Sequence, residues 1–290
     1  MSAYCGRFAP SPSGPLHFGS VVAALGSWIE ARAARGRWLL RIEDIDPPRE
    51  KPGAAAAILQ TLDTLGLAWD GPVLYQRTRL DAYREALARL AAAGLTFHCR
   101  CSRRDLGEGI YPGRCRILDL PPGPRRAVRL RVPDLRVALI DGLQGPYAQR
   151  LAAEIGDFVI WRADGLPAYH LAVVVDDAWQ GVTHVVRGSD LLRSTPRQIL
   201  LQRLLDLPAP RYLHLPLALD LDGLKLSKQT RAAPVDGRAP GRTIADALRF
   251  LGHAPPGELT GAGPGELLTW ALAHWRPARI PRSSRIAGTP

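Results

Sequence analysis

The fold is decided at RFAPSPSGPLHFG, residues 7–19. An extended run ending at Phe8 enters a Pro/Ser/Gly turn. His17 and Gly19 then open a helix whose free N–H groups and positive dipole end favour a phosphate. The helix is expected over residues 18–35, with Val21, Val22, Leu25, Trp28 and Ile29 on one face and Gly36 closing it. Residues 4–8 before it and 38–43 (WLLRIE) after it read as strands. The product is a β-α-β unit with its ligand crevice at the C-terminal strand ends, where Arg7 and Glu43 lie. Standing alone, His17 would read as a helix-capping residue, and only its setting in the whole stretch points to a ligand.

A second stretch, KLSKQ at residues 225–229, matches the first in character. Of 38 basic residues only Lys51, Lys225 and Lys228 are lysines, so two of the three fall in one pentapeptide. A chain that elsewhere uses arginine has placed two compact ammonium groups in one loop, which suits phosphate. Ser227 between them offers one hydrogen bond.

With 290 residues, 46% hydrophobic content and no apolar run near the roughly 18 residues of a membrane span, the chain reads as globular and cytoplasmic. The N-terminus shows no basic region with an apolar signal segment. A net charge of +11 points to nucleic acid as a partner. The basic residues cluster: residues 100–131 hold nine arginines against Asp105, Glu108 and Asp119, so this stretch is expected to face RNA.

Beyond the first unit, helices are expected over residues 54–65 and 80–93. From residue 96 to about 157, short strands, cysteines and Pro/Gly turns read as a small insertion. Residues 158–162 and 167–175 flank Ala163-Asp164-Gly165-Leu166 and read as a hairpin, after which the nucleotide fold resumes. A helix near 196–205, a strand near 213–219 and helices over 244–251 and 265–275 follow, before a loosely held tail. Cys99, Cys101 and Cys115 lie within seventeen residues and read as a local tetrahedral zinc site in need of a fourth ligand. His98 and Tyr111 are the nearest candidates. Soft-ligand chemistry favours His98, but a residue abutting Cys99 on a strand points away from it. Cys5 reads as a lone core residue.

Together RFAPSPSG, HFGS (residues 17–20), RIEDIDPPRE (41–50), RGSDLLRSTPRQ (187–198) and KLSKQ resemble the class I aminoacyl-tRNA synthetases of the glutamyl type. HFGS stands for the HIGH signature and KLSKQ for KMSKS. The resemblance is strong from residue 4 to about 230 and weak beyond. It implies an α/β fold: a Rossmann-like catalytic core (1–94 and 158–230), an inserted small α+β zinc-containing subdomain (95–157), and a short helical C-terminal segment without an anticodon-binding domain (231–290). The short length, HFGS and RGSDLLRSTPRQ resemble shortened members of the family, which attach glutamate to queuosine in the anticodon of tRNA(Asp).

For the reaction, the resemblance implies in-line attack of the glutamate carboxylate on the α-phosphorus of ATP, carried with Mg²⁺, so the protein mainly positions reactants and stabilises charge. His17, Lys225 and Lys228 are then the catalytic residues, with His17, Gly19 and Lys228 on ATP. Arg7, Phe8, Ala9, Pro10, Ser11, Glu43, Tyr169 and Arg187 are the glutamate residues. In that pocket Glu43 suits the α-ammonium, while Arg7 and Arg187 with the Tyr169 hydroxyl suit a carboxylate. Without the resemblance, Arg187 would read as a structural ion pair with Asp190 or a neighbour, and Tyr169 as a hairpin core residue. The resemblance gives the fourth zinc place to Tyr111, and one structural Zn²⁺ is expected on Cys99, Cys101, Tyr111 and Cys115. No obligatory protein partner is evident.

Two other functions remain open in the sequence: charging of a tRNA 3′ end, and an inactive RNA-binding paralogue. The intact His17, Glu43, Lys225 and Lys228 argue against the latter. Phe18, Ser20, Leu226 and Gln229 depart from the usual signatures. The Leu226 change conserves apolar volume, whereas losing the final serine of KMSKS bears on loop closure and so on rate.

Overall fold

The computed structural model describes residues 3–106, 109–118, 120–220, 235, 237–283 and 285–286. Strand β1 (Cys5–Phe8), buried throughout, leads through the Pro/Ser/Gly loop into helix α1 (Phe18–Ala33). Strand β2 (Arg37–Ile42) returns parallel to β1, with Arg7 opposite Leu39. Gly36 stands where the helix was expected to close, but Arg35 takes the left-handed turn, at φ 52°. Gly36 is needed for a different reason: a Cβ there would collide with the Tyr4 carbonyl. Helix α2 (Ala54–Thr64) leads to β3 (Leu74–Tyr75), which extends the parallel sheet beyond β2, and helix α3 (Leu80–Ala92) follows.

The chain then leaves the parallel fold. Strand β4 (Thr96–Cys99), the short helix α4 (Arg103–Leu106) and strand β5 (Ala127–Leu130) lead to a hairpin of β6 (Arg136–Asp141) and β7 (Gly145–Arg150). A helical turn α5 (Leu151–Glu154) and strand β8 (Val159–Trp161) follow, and β8 pairs antiparallel with β5 in a β4-β5-β8 sheet. That antiparallel sheet therefore runs past residue 157.

The hairpin expected around Ala163–Leu166 is half correct. The turn forms, with Ala168 N–H donating to the Ile160 carbonyl at 3.0 Å, but the second arm becomes helix α6 (Tyr169–Trp179). Leu171, Ala172, Val173 and Val174 are all buried, so this apolar run is enclosed by its neighbours, and a run buried on every side has no period to tell strand from helix. Strand β9 (His184–Gly188), not anticipated, follows, then α7 (Thr195–Leu204) and β10 (Arg211–Leu215), parallel to β9. The strand expected near 213–219 breaks after Leu215 and resumes as β11 (Ala218–Leu219). Helices α8 (Pro240–Phe250) and α9 (Pro264–His274) pack on α1. The tail expected to be loose is partly tied down: Ile280 is buried, and β12 (Arg285–Ile286) pairs with β11.

Strands β1 and β9 lie side by side, bound through Thr183, whose N–H donates to the Cys5 carbonyl and whose hydroxyl accepts from Cys5 N–H. The chain thus works outward from β1 through β2 to β3 on one side, and from β9 to β10 on the other. That reversal opens a crevice at the C-terminal ends of β1 and β9. Helix α1 covers the sheet, with Val21, Leu25 and Ile29 fully buried, and comes so close to β10 that a Cβ on Gly26 would lie 2.6 Å from Leu215 Cδ1. Among the described residues no helix is long and apolar enough to cross a membrane.

Candidate active site

A cavity of about 770 Å³ occupies that crevice. Arg7, Phe8, Ala9, Pro10 and Ser11 line it from the end of β1, Glu43 from the end of β2, Tyr169 from the start of α6 and Arg187 from β9, with His17 and Gly19 at the mouth of α1. Every described residue expected in the site is therefore brought to one cavity. Lys225, Ser227 and Lys228 lie outside the described residues.

The loop after β1 is held by its own carbonyls. Pro10 accepts from Glu43 N–H and Pro12 from Lys51 N–H, both at 3.0 Å, which fixes the loop against the end of β2. His17 caps α1: its Nδ1 accepts from Ser20 N–H at 3.3 Å, and its Nε2 lies 3.0 Å from Ser20 Oγ. Capping and cavity-lining are thus compatible, because one edge of the ring meets the helix while the residue still faces the cavity.

The floor is a buried charge array. Arg7 Nε and Arg41 Nη2 both donate to Asp177 Oδ1, at 3.1 and 2.7 Å, and Arg41 Nη2 lies 3.9 Å from Glu43. Burial would raise the Asp177 carboxyl, but Arg7 and Arg41 hold it below the usual carboxylate range. Glu43 goes the other way: burial pushes it up to about 7, against the pull of Arg41 and Arg7. Arg187 is held on three sides. Its Nε donates to His214 Nε2 at 3.1 Å, Nη1 to the Tyr169 hydroxyl at 3.3 Å, and Nη2 to Thr195 Oγ1 and Gln198 Oε1 at 2.9 and 2.8 Å. Only Nη1 keeps a hydrogen for a ligand. The expected alternative pairing of Arg187 with Asp190 is not among these bonds.

Three guanidiniums, Arg7, Arg41 and Arg187, thus face two carboxylates, Asp177 and Glu43, and all five groups are buried. Two further buried carboxylates stand behind them, Asp176 paired with Arg79 and Asp141 on His214, and Arg7 and Arg187 are the buried guanidiniums that line the cavity. Arg41 and Asp177 escaped the sequence reading. The available signals were a charged residue inside the apolar run WLLRIE and an acidic pair closing the run AVVVDD.

In the insertion, the thiols of Cys99, Cys101 and Cys115 lie within 4.8 Å of one another, with Cys101 and Cys115 sulfurs 3.5 Å apart. The Tyr111 hydroxyl joins them, 3.5 Å from Cys99 Sγ and accepting from Cys115 N–H at 2.8 Å. Burial works to raise the Cys115 thiol, yet the Arg100 backbone N–H and Tyr111 hydroxyl bring it down to about 7. His98 stands outside the cluster on β4, one residue from Cys99 and so on the other strand face. Cys5 is buried against Gln180.

The arginine cluster divides. Arg129 is buried over the Tyr111 ring and donates to the Asp157 carbonyl, Arg116 pairs with Asp157, and Arg131 donates to the Thr96 and Arg116 carbonyls. These three fasten the insertion. Arg100, Arg104, Arg114 and Arg125 are exposed and Arg126 is half-buried.

The catalytic-domain model of the class I tRNA synthetases for Glu and Gln matches residues 5–109 and 122–240. A glutamyl-Q tRNA(Asp) synthetase of Ectopseudomonas mendocina (strain ymp) is 57% identical over 288 residues, covering 99% of this chain and 98% of the relative. One of Thiobacillus denitrificans (strain ATCC 25259 / T1) is 54% identical over 295 residues, with the same coverage of 99% and 98%. A glutamate tRNA ligase from Elizabethkingia meningosepticum, solved in complex with its amino acid, superposes with a TM-score of 0.83 at 25% identity, over 99% of this chain and 67% of the ligase. With similarity sustained over nearly the whole chain and the signature segments gathered at one crevice, the chain belongs to the class I glutamyl and glutaminyl tRNA synthetase family, and within it to the glutamyl-Q tRNA(Asp) synthetases.

Proposed function

We propose that the cavity binds L-glutamate and ATP, forms glutamyl-adenylate, and passes the glutamyl group to queuosine in the anticodon of tRNA(Asp) in the cytoplasm. The observation that carries this reading is the pair of buried guanidiniums, Arg7 and Arg187, that line one cavity, which suits a ligand with an acidic side chain. Glu43 takes the α-ammonium, and the free hydrogens of Arg7 and Arg187 with the Tyr169 hydroxyl take the side-chain carboxylate. Phe8, Ala9, Pro10 and Ser11 wall the pocket. The α-carboxylate is left to face the mouth of α1, where His17 and the helix N-terminus receive ATP phosphates and Gly19 admits the nucleotide closely.

A carboxylate oxygen then bonds to the α-phosphorus as the bond to the β-phosphate bridging oxygen breaks, releasing pyrophosphate. Lys225 and Lys228 of the second signature are assigned to that departing charge, and Mg²⁺ travels with ATP. In the second step a queuosine hydroxyl oxygen bonds to the acyl carbon, AMP leaves, and the hydroxyl proton passes to solvent or to AMP.

The test is transfer of labelled glutamate, with ATP and Mg²⁺, to tRNA pools with and without queuosine, followed by nuclease mapping. Label in the anticodon fragment of tRNA(Asp), only when queuosine is present, is the expected result. Label on the 3′ terminal adenosine of either pool would make the enzyme a tRNA-charging one instead.

The insertion, residues 95–157 in this reading, is proposed to hold one structural Zn²⁺ on Cys99, Cys101, Cys115 and Tyr111. The residues fit: sulfurs on a tetrahedral zinc stand about 3.8 Å apart, and the Cys101–Cys115 separation of 3.5 Å is close to that. Equimolar zinc by elemental analysis, lost together with several degrees of thermal stability in Cys101→Ser, is expected. Folded, fully stable protein without metal would defeat the assignment.

A further inference from the structure

We propose that Asp141 and His214 are positioning residues for Arg187, forming a buried Asp141–His214–Arg187 chain by which the tip of the inserted hairpin sets the guanidinium in the glutamate pocket. The proposal rests on the glutamate reading above. Asp141 ends β6, His214 lies in β10 and Arg187 in β9, so the chain joins three elements far apart in sequence. Both Asp141 and His214 side chains are fully buried, and His214 Nδ1 lies 2.5 Å from Asp141 Oδ2.

The direction of each bond follows from chemistry. Arg187 Nε can only donate, so His214 Nε2, 3.1 Å away, must present its lone pair. A neutral imidazole then carries its proton on Nδ1, against Asp141, and burial favours the neutral ring. Asp141 is itself fixed: its Oδ1 accepts from the backbone N–H groups of Leu143, Gln144 and His214, at 3.0, 2.9 and 3.1 Å. Gln144 adds a bond from its Nε2 to the His214 carbonyl at 2.8 Å, pinning the hairpin tip to β10. The carboxylate thus selects the tautomer, the tautomer accepts Arg187 Nε–H, and the Arg187 plane is set so that Nη1 faces Tyr169 and the cavity.

Asp141→Asn tests this with almost no change of shape. Three backbone donors on Oδ1 oblige the new amide oxygen to take that place, so its NH₂ faces His214 Nδ1. The imidazole proton moves to Nε2, where it opposes Arg187 Nε–H and turns to Thr195 Oγ1, 3.2 Å away. Loss of one hydrogen bond to a charged group corresponds to a rise in glutamate KM of about ten- to thirtyfold, with the ATP KM and the melting temperature little changed. His214→Gln carries an amide oxygen that needs no tautomer, so it is expected to hold the glutamate KM near wild type and to make Asp141→Asn silent in the double variant. In the wild-type enzyme without substrate, long-range ¹H–¹⁵N spectra should show His214 protonated on Nδ1.

An Nε2-protonated His214 in the wild type, or a folded Asp141→Asn enzyme with glutamate KM within twofold of wild type, would overturn the chain. Failure of the glutamate reading is seen separately, as absence of glutamate-dependent ATP–pyrophosphate exchange in the wild type, and leaves the tautomer measurement standing.

Discussion

Replacing Arg187 with alanine raises the KM for glutamate by about two orders of magnitude, the equivalent of roughly 3 kcal/mol for a buried charge-assisted pair. The ATP KM is expected to stay within about twofold, because His17 and Gly19, proposed for ATP, line the cavity from the mouth of α1 and Arg187 from β9. The asymmetry is what identifies the residue's place: a general loss of folding would degrade both constants. Alanine also removes a donor from His214 Nε2, Thr195 Oγ1 and Gln198 Oε1, leaving the first two with each other and Thr195 with the Leu191 carbonyl. A loss of melting temperature therefore accompanies the kinetic one. Arg187→Lys is expected to recover little, since one ammonium cannot serve bonds in three directions that a planar fork serves at once. Glutamate-dependent ATP–pyrophosphate exchange, run against both substrates, makes the measurement, and an unchanged glutamate KM in a folded variant removes Arg187 from the pocket.

The part of this site that could be read from sequence is the part whose geometry is local. RFAPSPSG encodes a buried strand end, a turn and a helix start within thirteen residues, and these segments land where their chemistry predicts. Arg7 and Glu43 could be placed together because a single β-α-β unit aligns the ends of β1 and β2. The supporting partners could not. Asp177 meets Arg7 across 170 residues, and His214 meets Asp141 across 73, distances over which no periodicity speaks. The misread second arm of the hairpin has a related cause. Val173, Val174 and Val175 favour a strand by side-chain shape, yet α6 must be a helix for the adjacent Asp176 and Asp177 both to be buried: one accepts from Tyr83 and Gln76, the other from Arg7 and Arg41. Tertiary electrostatics, absent from any local window, overrides the propensity.

Those electrostatics set the second large effect. Asp177→Asn keeps the size of the side chain and removes the carboxylate charge that accepts from two buried guanidiniums. Breaking a buried pair by neutralising one partner costs about 3–5 kcal/mol, or on the order of 10 °C in melting temperature for a chain of this size. Arg41 suffers most, being fully buried with Glu43 and Gln180 as its remaining partners. The pH dependence separates this from simple loss of packing. Asp177 is held below its ordinary range in the folded protein, so its contribution is fully present above about pH 4 and is lost as the pH falls through its lower, folded value. Glu43 has the opposite sign, since a carboxyl raised by burial favours the folded state only while protonated, and removing the Asp177 charge beside it brings it down. The stability gap between wild type and Asp177→Asn is therefore widest around pH 4–5, narrows towards neutrality as Glu43 of the wild type ionises, and closes below about pH 4 as Asp177 takes up its proton. In the same variant the acidic limb of kcat/KM for glutamate moves to lower pH, because Glu43 ionises earlier and meets the α-ammonium already charged. Equal melting temperatures at pH 5, or a gap that does not close as the pH is taken below about 4, would show that Asp177 does not carry the counter-charge of the pocket.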